Sequence, residues 1–314
     1  MSGPFWSEPH LPLPVVLASL MVVGCGLFGC RKSDVPVLRP PPAEVLRVQG
    51  GIAIPTGYMR GDDGRVYCEM DGAEMVLLPA GGFTMGSNDG APDEKPAHQV
   101  FVRAYLMDRH EVTVRQFRKF CAETGTSVPP EQARDDACPV AKVTWGEAIA
   151  YAEWAGKRLP TEAEYERALR GGLEGKKYPW GDQETPRGRP GNYADESLNR
   201  LDPSSLSLKS YDDGHVWASP AGSFDANGLG LHDISGNVWE WCSDWYGSGY
   251  YATLAGGVAR NPRGPPSGKK RVIRGGGWYY FLPGHLRCAY RHEHDPSDRE
   301  KTMPIGFRTV RELP

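Results

Sequence analysis

In Asp233-Ile-Ser-Gly-Asn-Val-Trp-Glu-Trp241, two acids bracket a Gly-Asn turn and two tryptophans alternate with the second acid. Irregular turns leave backbone carbonyls free, and carboxylates beside free carbonyls suit a hard dication. Trp239 and Trp241 are spaced as core residues on a strand, with Glu240 expected to point outward between them. The rest of the composition fits a domain built largely from loops. Its 39 glycines and 28 prolines make up about a fifth of 314 residues, close to twice the ordinary share. Regular elements are broken too often for a helical bundle, a coiled coil or a parallel α/β barrel. The 9 tryptophans and 14 tyrosines supply the large buried area that a disordered chain lacks. With 36 basic residues against 39 acidic ones, no cationic excess exists to neutralise phosphates, and nucleic acid is not expected as a partner.

The first part of the chain reads differently. Residues 11–30 carry no charge, and Pro12, Pro14, Gly24, Gly26 and Gly29 crowd the ends of the run. The apolar centre that remains has signal-peptide length. Val22-Val23-Gly24-Cys25 has the form of a bacterial lipobox with Cys25 as the lipidated residue, and Leu27-Phe28-Gly29-Cys30 is a poorer second version. An uncleaved anchor is the other reading, because no Lys or Arg precedes the run and Arg31-Lys32 follow it. Residues 1–30 are therefore expected to be a lipoprotein signal peptide or membrane anchor. The protein is expected to be exported and held at a bacterial cell envelope, facing the periplasm or the outside. Residues 31–67, with Pro40-Pro41-Pro42, read as a proline-rich linker. One domain, 68–314, follows. Export permits disulfides. Cys121 and Cys138 flank a loop containing Gly125, Pro129 and Pro130, so a local disulfide is expected there; two unpaired buried thiols are the alternative.

Within the domain, 74–78 and 82–85 read as short strands around a turn at 79–82, and 99–105 as a third. Thr113 is a candidate cap for a helix through Val114, Phe117 and Cys121. Thr144-Trp-Gly-Glu147 and Thr161-Glu-Ala-Glu164 are capping boxes for two more, the first closed by Gly156. In the second, Glu162, Glu164 and Glu166 precede Arg167 and Arg170, an order that suits the helix dipole. Beyond Gly171, short strands and long loops are expected. The segment from Tyr246 to Tyr251 is either core or a stacking groove for a peptide or glycan. Gly264-Pro-Pro-Ser-Gly-Lys-Lys270 lacks the spacing and the closing hydroxyl of a phosphate loop.

Several of these segments, in this order, resemble the formylglycine-generating enzyme family, also called sulfatase-modifying factors. They are Met75-Val-Leu-Leu-Pro-Ala-Gly-Gly-Phe-Thr-Met-Gly-Ser87, Glu111-Val-Thr113, Gly156-Lys-Arg-Leu-Pro-Thr-Glu-Ala-Glu164, Asn227-Gly-Leu-Gly-Leu231, Asp233 to Trp241, Arg274-Gly-Gly276 and Gly306-Phe-Arg308. The resemblance implies an α+β fold, irregular and C-type-lectin-like, with little regular secondary structure. It also implies calcium. The Asp233 and Glu240 side chains with the Gly236 and Val238 carbonyls match one site of the family. The Asn192 and Asp213 side chains with the Tyr193 and His215 carbonyls match a second. Read without the resemblance, Asp233 is a turn-capping carboxylate and Glu240 a salt-bridge partner.

The catalytic segment departs from the family. Members that oxidise a sulfatase cysteine hold copper(I) between a pair of cysteines after the Arg-Gly-Gly turn. Here Tyr280 takes the first position and Arg287 the second, with Cys288 one residue out of register. One thiol cannot make a two-thiolate site, so copper is not expected, whereas calcium is. His285, Cys288, His292 and His294 lie close enough along the chain to raise iron or another transition metal. Two functions follow. The first is an exported, membrane-tethered, calcium-stabilised module that binds a peptide or an envelope protein and lacks standard formylglycine-generating activity. The alternative is an oxygen-dependent oxidoreductase of the same family, with a rebuilt thiol or metal centre around a catalytic Cys288. A buried Cys288 favours the first. An open cleft with histidines in reach favours the second.

Overall fold

The computed structural model describes residues 54–128, 135–299 and 303–313, all within one unit, Glu44–Pro314. The expected leader, both lipobox cysteines (Cys25 and Cys30), the proline run at 40–42 and Pro129-Pro130 lie outside the described residues.

Along the chain come β1 (Tyr58–Arg60), β2 (Val66–Cys68), β3 (Glu74–Leu78), β4 (Gly81–Met85), β5 (His98–Val102) and β6 (Tyr105–Asp108). Helices α1 (Val114–Thr124), α2 (Trp145–Trp154), α3 (Glu162–Arg170) and α4 (Glu196–Leu201) follow. Then come β7 (Trp239–Trp245), α5 (Tyr250–Thr253), β8 (Val258–Arg260), β9 (Arg271–Arg274), β10 (His292–His294), β11 (Ile305–Gly306) and β12 (Val310–Glu312). The strands form three sheets, ordered β1-β2-β3-β6-β12, β10-β9-β7-β11 and β4-β5-β8. Parallel pairs (β11 with β7, β5 with β8) occur beside antiparallel ones. This is the α+β architecture expected, with long irregular connections.

Two expected strands are rearranged. β3 and β4 do not pair with each other; the turn between them passes the chain from one sheet to another. The strand read at 99–105 is two strands, β5 and β6, parted at Arg103-Ala104 and also in different sheets. Burial alternates along β5 but not past it: Arg103 is exposed, Ala104 half-buried, and β6 is buried throughout. The folded domain also starts earlier than residue 68. β1 and β2 fall largely within the residues read as linker, where Tyr58, Met59 and Arg60 pair with Cys68, Tyr67 and Val66.

The three helix starts are as expected. Thr113, Thr144 and Thr161 each accept a bond from the backbone N–H three residues on, and Gln116, Glu147 and Glu164 reach back to close the box. Phe117, Tyr151, Trp239, Trp241 and Phe307 meet in one core around α1, α2 and β7. Phe83, Val100, Tyr165, Leu231 and Tyr251 meet in a second around α3. β7 lies between them. Glu240, expected to face outward, is fully buried and reaches Tyr165 in the second core.

The five described cysteines are free and buried. The expected Cys121–Cys138 disulfide is therefore absent. Cys121 faces the core from α1, while the Cys138 thiol donates to the carbonyl of Ala218 at 3.6 Å.

Candidate functional site

The segment from Asp233 to Glu240 folds back sharply, with Asp233 and Asn237 in left-handed backbone at φ 53° and 59°. Asp and Asn tolerate that region better than other side chains. Asp233 is buried and caps a turn: Phe224 N donates to Oδ1 at 3.2 Å and Gly222 N to Oδ2. Gly236 sits at φ 88°, and a Cβ there would stand 2.4 Å from the Asn192 carbonyl oxygen. This close approach brings the two expected calcium sets together. Asn237 N donates to the Asn192 carbonyl at 2.9 Å, and Asn192 Nδ2 lies 3.3 Å from Asn237 Oδ1.

Charge is concentrated here. Glu111, Asp233 and Glu240 are all buried. Burial first, then repulsion from Asp233, holds the Glu111 carboxyl well above its usual range. Burial raises Asp233 and Glu240 as well. One buried guanidinium faces Glu240. Arg308 Nε donates to its Oε2 at 2.8 Å and Nη2 to its Oε1 at 2.9 Å. Tyr165 Oη donates to Oε1 at 3.0 Å. Glu240 is thus a salt-bridge partner whatever else it holds. Glu111 Oε1 accepts from Asn237 Nδ2 at 3.1 Å, but its Oε2 is buried with no partner.

The second set is built from a different loop. Asp213 accepts from Tyr193 N at 2.9 Å and His215 N at 2.7 Å. Buried Asp195 lies beside it and accepts from Asp213 N. Burial pushes the Asp213 carboxyl up to about 7 despite those hydrogen bonds, and Asp195 is raised for the same first reason. The Asn192 Oδ1 is buried and has no partner. The orphaned amide oxygen belongs to the residue before Tyr193, whose N–H Asp213 accepts, and an amide oxygen beside carboxylate oxygens is the donor type a hard cation takes. No three His, Cys, Asp or Glu side chains among the described residues converge as metal ligands. A cation in either set would therefore need carbonyl and amide oxygens, as the Gly236, Val238, Tyr193 and His215 carbonyls could supply.

The segment after the Arg274 turn contains no accessible thiol. Cys288 is fully buried, and burial pushes its thiol up to about 12. Its N–H donates to the Lys177 carbonyl at 2.9 Å, and its carbonyl accepts from Arg274 Nη2 at 2.8 Å. A thiol so placed does not ionise near neutral pH. Arg287 grips buried Glu94 with both Nη atoms at 2.5 Å. Tyr280 packs edge-on against Trp239, ring centres 5.0 Å apart. His285 lies against Tyr290, His292 against Trp239 and His294 against Trp241. The histidines are laid on aromatic rings and do not gather with Cys288 as a metal-ligating group among the described residues. Neither the copper pair nor the transition-metal cluster fits these residues.

Beneath this segment lies a network that sequence reasoning missed. Glu162 and Glu166, read as dipole-matching acids on α3, are buried. Glu162 takes two bonds from Arg291, at 2.7 and 2.8 Å, and Glu166 takes one from Arg274 at 2.7 Å. The Tyr246-to-Tyr251 segment belongs with this network rather than forming a groove. Tyr251 is fully buried with the Arg291 guanidinium 4.1 Å from its ring centre, and Tyr246 donates to Asp93.

Residues 66–313 match the family described as the sulfatase-modifying factor enzyme 1-like domain. The chain belongs to this family. A formylglycine-generating enzyme of Thermomonospora curvata is 35% identical over 288 residues, covering 74% of this chain and 92% of that enzyme. The serine/threonine-protein kinase pkn1 of Chlamydia caviae is 35% identical over 262 residues, 76% of this chain. This chain spans only 38% of that relative's length. Among solved structures, PvdO from Pseudomonas aeruginosa superposes with a TM-score of 0.62 at 29% identity, over 77% of this chain and 95% of PvdO. The fold is thus the C-type-lectin-like one of the sulfatase-modifying factors. Within that family, Glu111 was legible as part of the Glu111-Val-Thr113 motif, but nothing in the sequence placed it beside Asn237.

Proposed function

We propose that this sulfatase-modifying-factor domain is an exported, membrane-tethered binding module for a peptide or envelope protein, stiffened by calcium and without thiol–copper formylglycine chemistry. The observation that carries the reading is the sealed Cys288. Its thiol is inside the core, Tyr280 and Arg287 occupy the two thiol positions of the family, and Arg287 is committed to Glu94. An oxidoreductase built on Cys288 needs a reachable thiolate, which this burial opposes. Calcium is supported by the orphaned Asn192 amide oxygen, the buried Asp195–Asp213 pair and the excess of buried carboxylates around Asp233. Export and tethering are supported by the Val22-to-Cys25 lipobox.

Purified protein incubated with copper, oxygen and a Cys-x-Pro-x-Arg peptide is expected to leave the peptide mass unchanged. Conversion of the cysteine to an aldehyde would overturn the proposal. In cells of a bacterial host, Cys25→Ser is expected to move the protein from the membrane to the soluble fraction. An unchanged distribution, with Cys30 also replaced, removes the lipid anchor from the account.

A further inference from the structure

The Asn192–Asn237 pair has two tryptophans attached to it. Asn192 Nδ2 donates to the carbonyl of Trp217 at 2.8 Å, and the Trp278 N–H donates to the carbonyl of Asn237 at 2.9 Å. The two indoles meet edge-to-face with centres 4.9 Å apart at 76°. Trp217 is 61% exposed and Trp278 half-buried. Tyr279, 38% exposed, continues the row at 5.7 Å from Trp278. Behind it, Tyr280 and Trp239 carry the aromatic contacts into the core at 6.3 and 5.0 Å.

Large rings left in water forgo the favourable burial that most aromatic side chains gain. Here the exposed rings stand on backbone held from below by buried amides, so little order remains to be lost when a ligand arrives. Their surroundings also select a ligand. Residues 215–219 and 275–282, which carry these rings, contain no Asp, Glu, Lys or Arg. The segments carrying the rings offer no carboxylate to a basic peptide and no guanidinium or ammonium group to an acidic one. Indole faces edged by N–H groups and a phenol suit a ring with C–H bonds on its face and hydroxyls around its rim.

We propose that Trp217, Trp278 and Tyr279 form a platform for a neutral pyranose of an oligosaccharide, held in shape by Asn192 and Asn237. This goes beyond the peptide- or protein-binding reading by adding a neutral sugar as a further ligand class, and it does not rest on the calcium reading. The platform adjoins the first thiol position of the family, since Tyr279 precedes Tyr280 and lies 6.3 Å from its ring, but it uses aromatic faces where the family uses thiols.

The test is isothermal titration of the full chain with maltohexaose, cellohexaose, chitohexaose and mannohexaose, alongside an uncharged hexapeptide pool. Saturable heat is expected with at least one hexasaccharide, weakened about tenfold or more in Trp217→Ala and in Trp278→Ala. Trp217→Ala removes a mostly exposed side chain, so its melting temperature should match the wild type and separate lost binding from lost folding. No saturable heat with any hexasaccharide overturns the platform, as does equal affinity in both variants or binding of the peptides alone. Melting with calcium and with chelator is measured on the same samples. If calcium fails to raise the melting temperature while Trp-dependent sugar binding persists, the calcium reading falls and the platform stands. If calcium stabilises and no sugar binds, the platform falls alone.

Discussion

Calcium at about a hundredfold over its dissociation constant at pH 8 is expected to raise the melting temperature of the metal-free protein by roughly 5–10 °C at that pH, and the same concentration by far less at pH 5. The size follows from mass action, about 2.7 kcal/mol at that excess. The pH dependence follows from the buried acids. In the metal-free fold, Asp213 keeps its proton up to about pH 7, whereas the unfolded chain releases it near its ordinary value of 3.8. The folded state therefore binds more protons between those values, and this contribution to stability is lost as pH rises through that window. Asp195, Asp233, Glu240 and Glu111 are shifted in the same direction, each first by burial. Calcium takes the ionised form, so below pH 7 it must displace a proton that above pH 7 is already gone. Differential scanning calorimetry with calcium or chelator at the two pH values measures this. Equal shifts at pH 5 and pH 8 would remove these carboxylates from the site.

Arg308→Met is expected to cost about 3–5 kcal/mol in urea unfolding, the usual penalty for leaving a buried charge without its partner. Arg308 is fully buried and bonds both oxygens of Glu240. Its Nη2 also donates to the His232 carbonyl at 3.1 Å, tying the Asp233 turn to β7. Removing it leaves Glu111, Asp233 and Glu240 without a facing guanidinium. The double variant Arg308→Met/Glu240→Gln should recover part of the loss, because the glutamine removes the charge that was stranded. A double variant as unstable as the sum of the single ones would show that the pair is not coupled.

Local signals were legible where a short stretch of chain decides the outcome. Thr113, Thr144 and Thr161 cap their helices because the hydroxyl and the third residue of each box lie within one turn. The Asp233-to-Trp241 turn was legible for the same reason, with Gly236 held where only a glycine fits. What the chain order hides is partnership across long separations. Glu162 and Arg291 are 129 residues apart, Glu94 and Arg287 193, and Glu111 and Asn237 126. The acid-first, base-last order marked Glu162 and Glu166 only as matching the helix dipole, because it counts charge along one helix and cannot see a guanidinium arriving from β9 or from beside β10. The Cys121–Cys138 disulfide failed similarly. Closeness along the chain says nothing about where each thiol points, and Cys138 is drawn to the Ala218 carbonyl.

In the proposed reading, two parts of the family's machinery are separable in this molecule. The loops that carry Asn192, Asp213 and Asp233 hold buried oxygen-bearing side chains, while the segment from Tyr280 to Cys288 has an aromatic stack and an Arg287–Glu94 clamp at the family's thiol positions. A scaffold can keep its cation sites after losing its reactive centre, since the two are stabilised by different contacts.

The metal content of protein purified without chelator, read by inductively coupled plasma mass spectrometry, tests this separation most directly. The account predicts about one to two calcium ions per chain, with copper and iron far below one. Stoichiometric copper or iron with no calcium would contradict it.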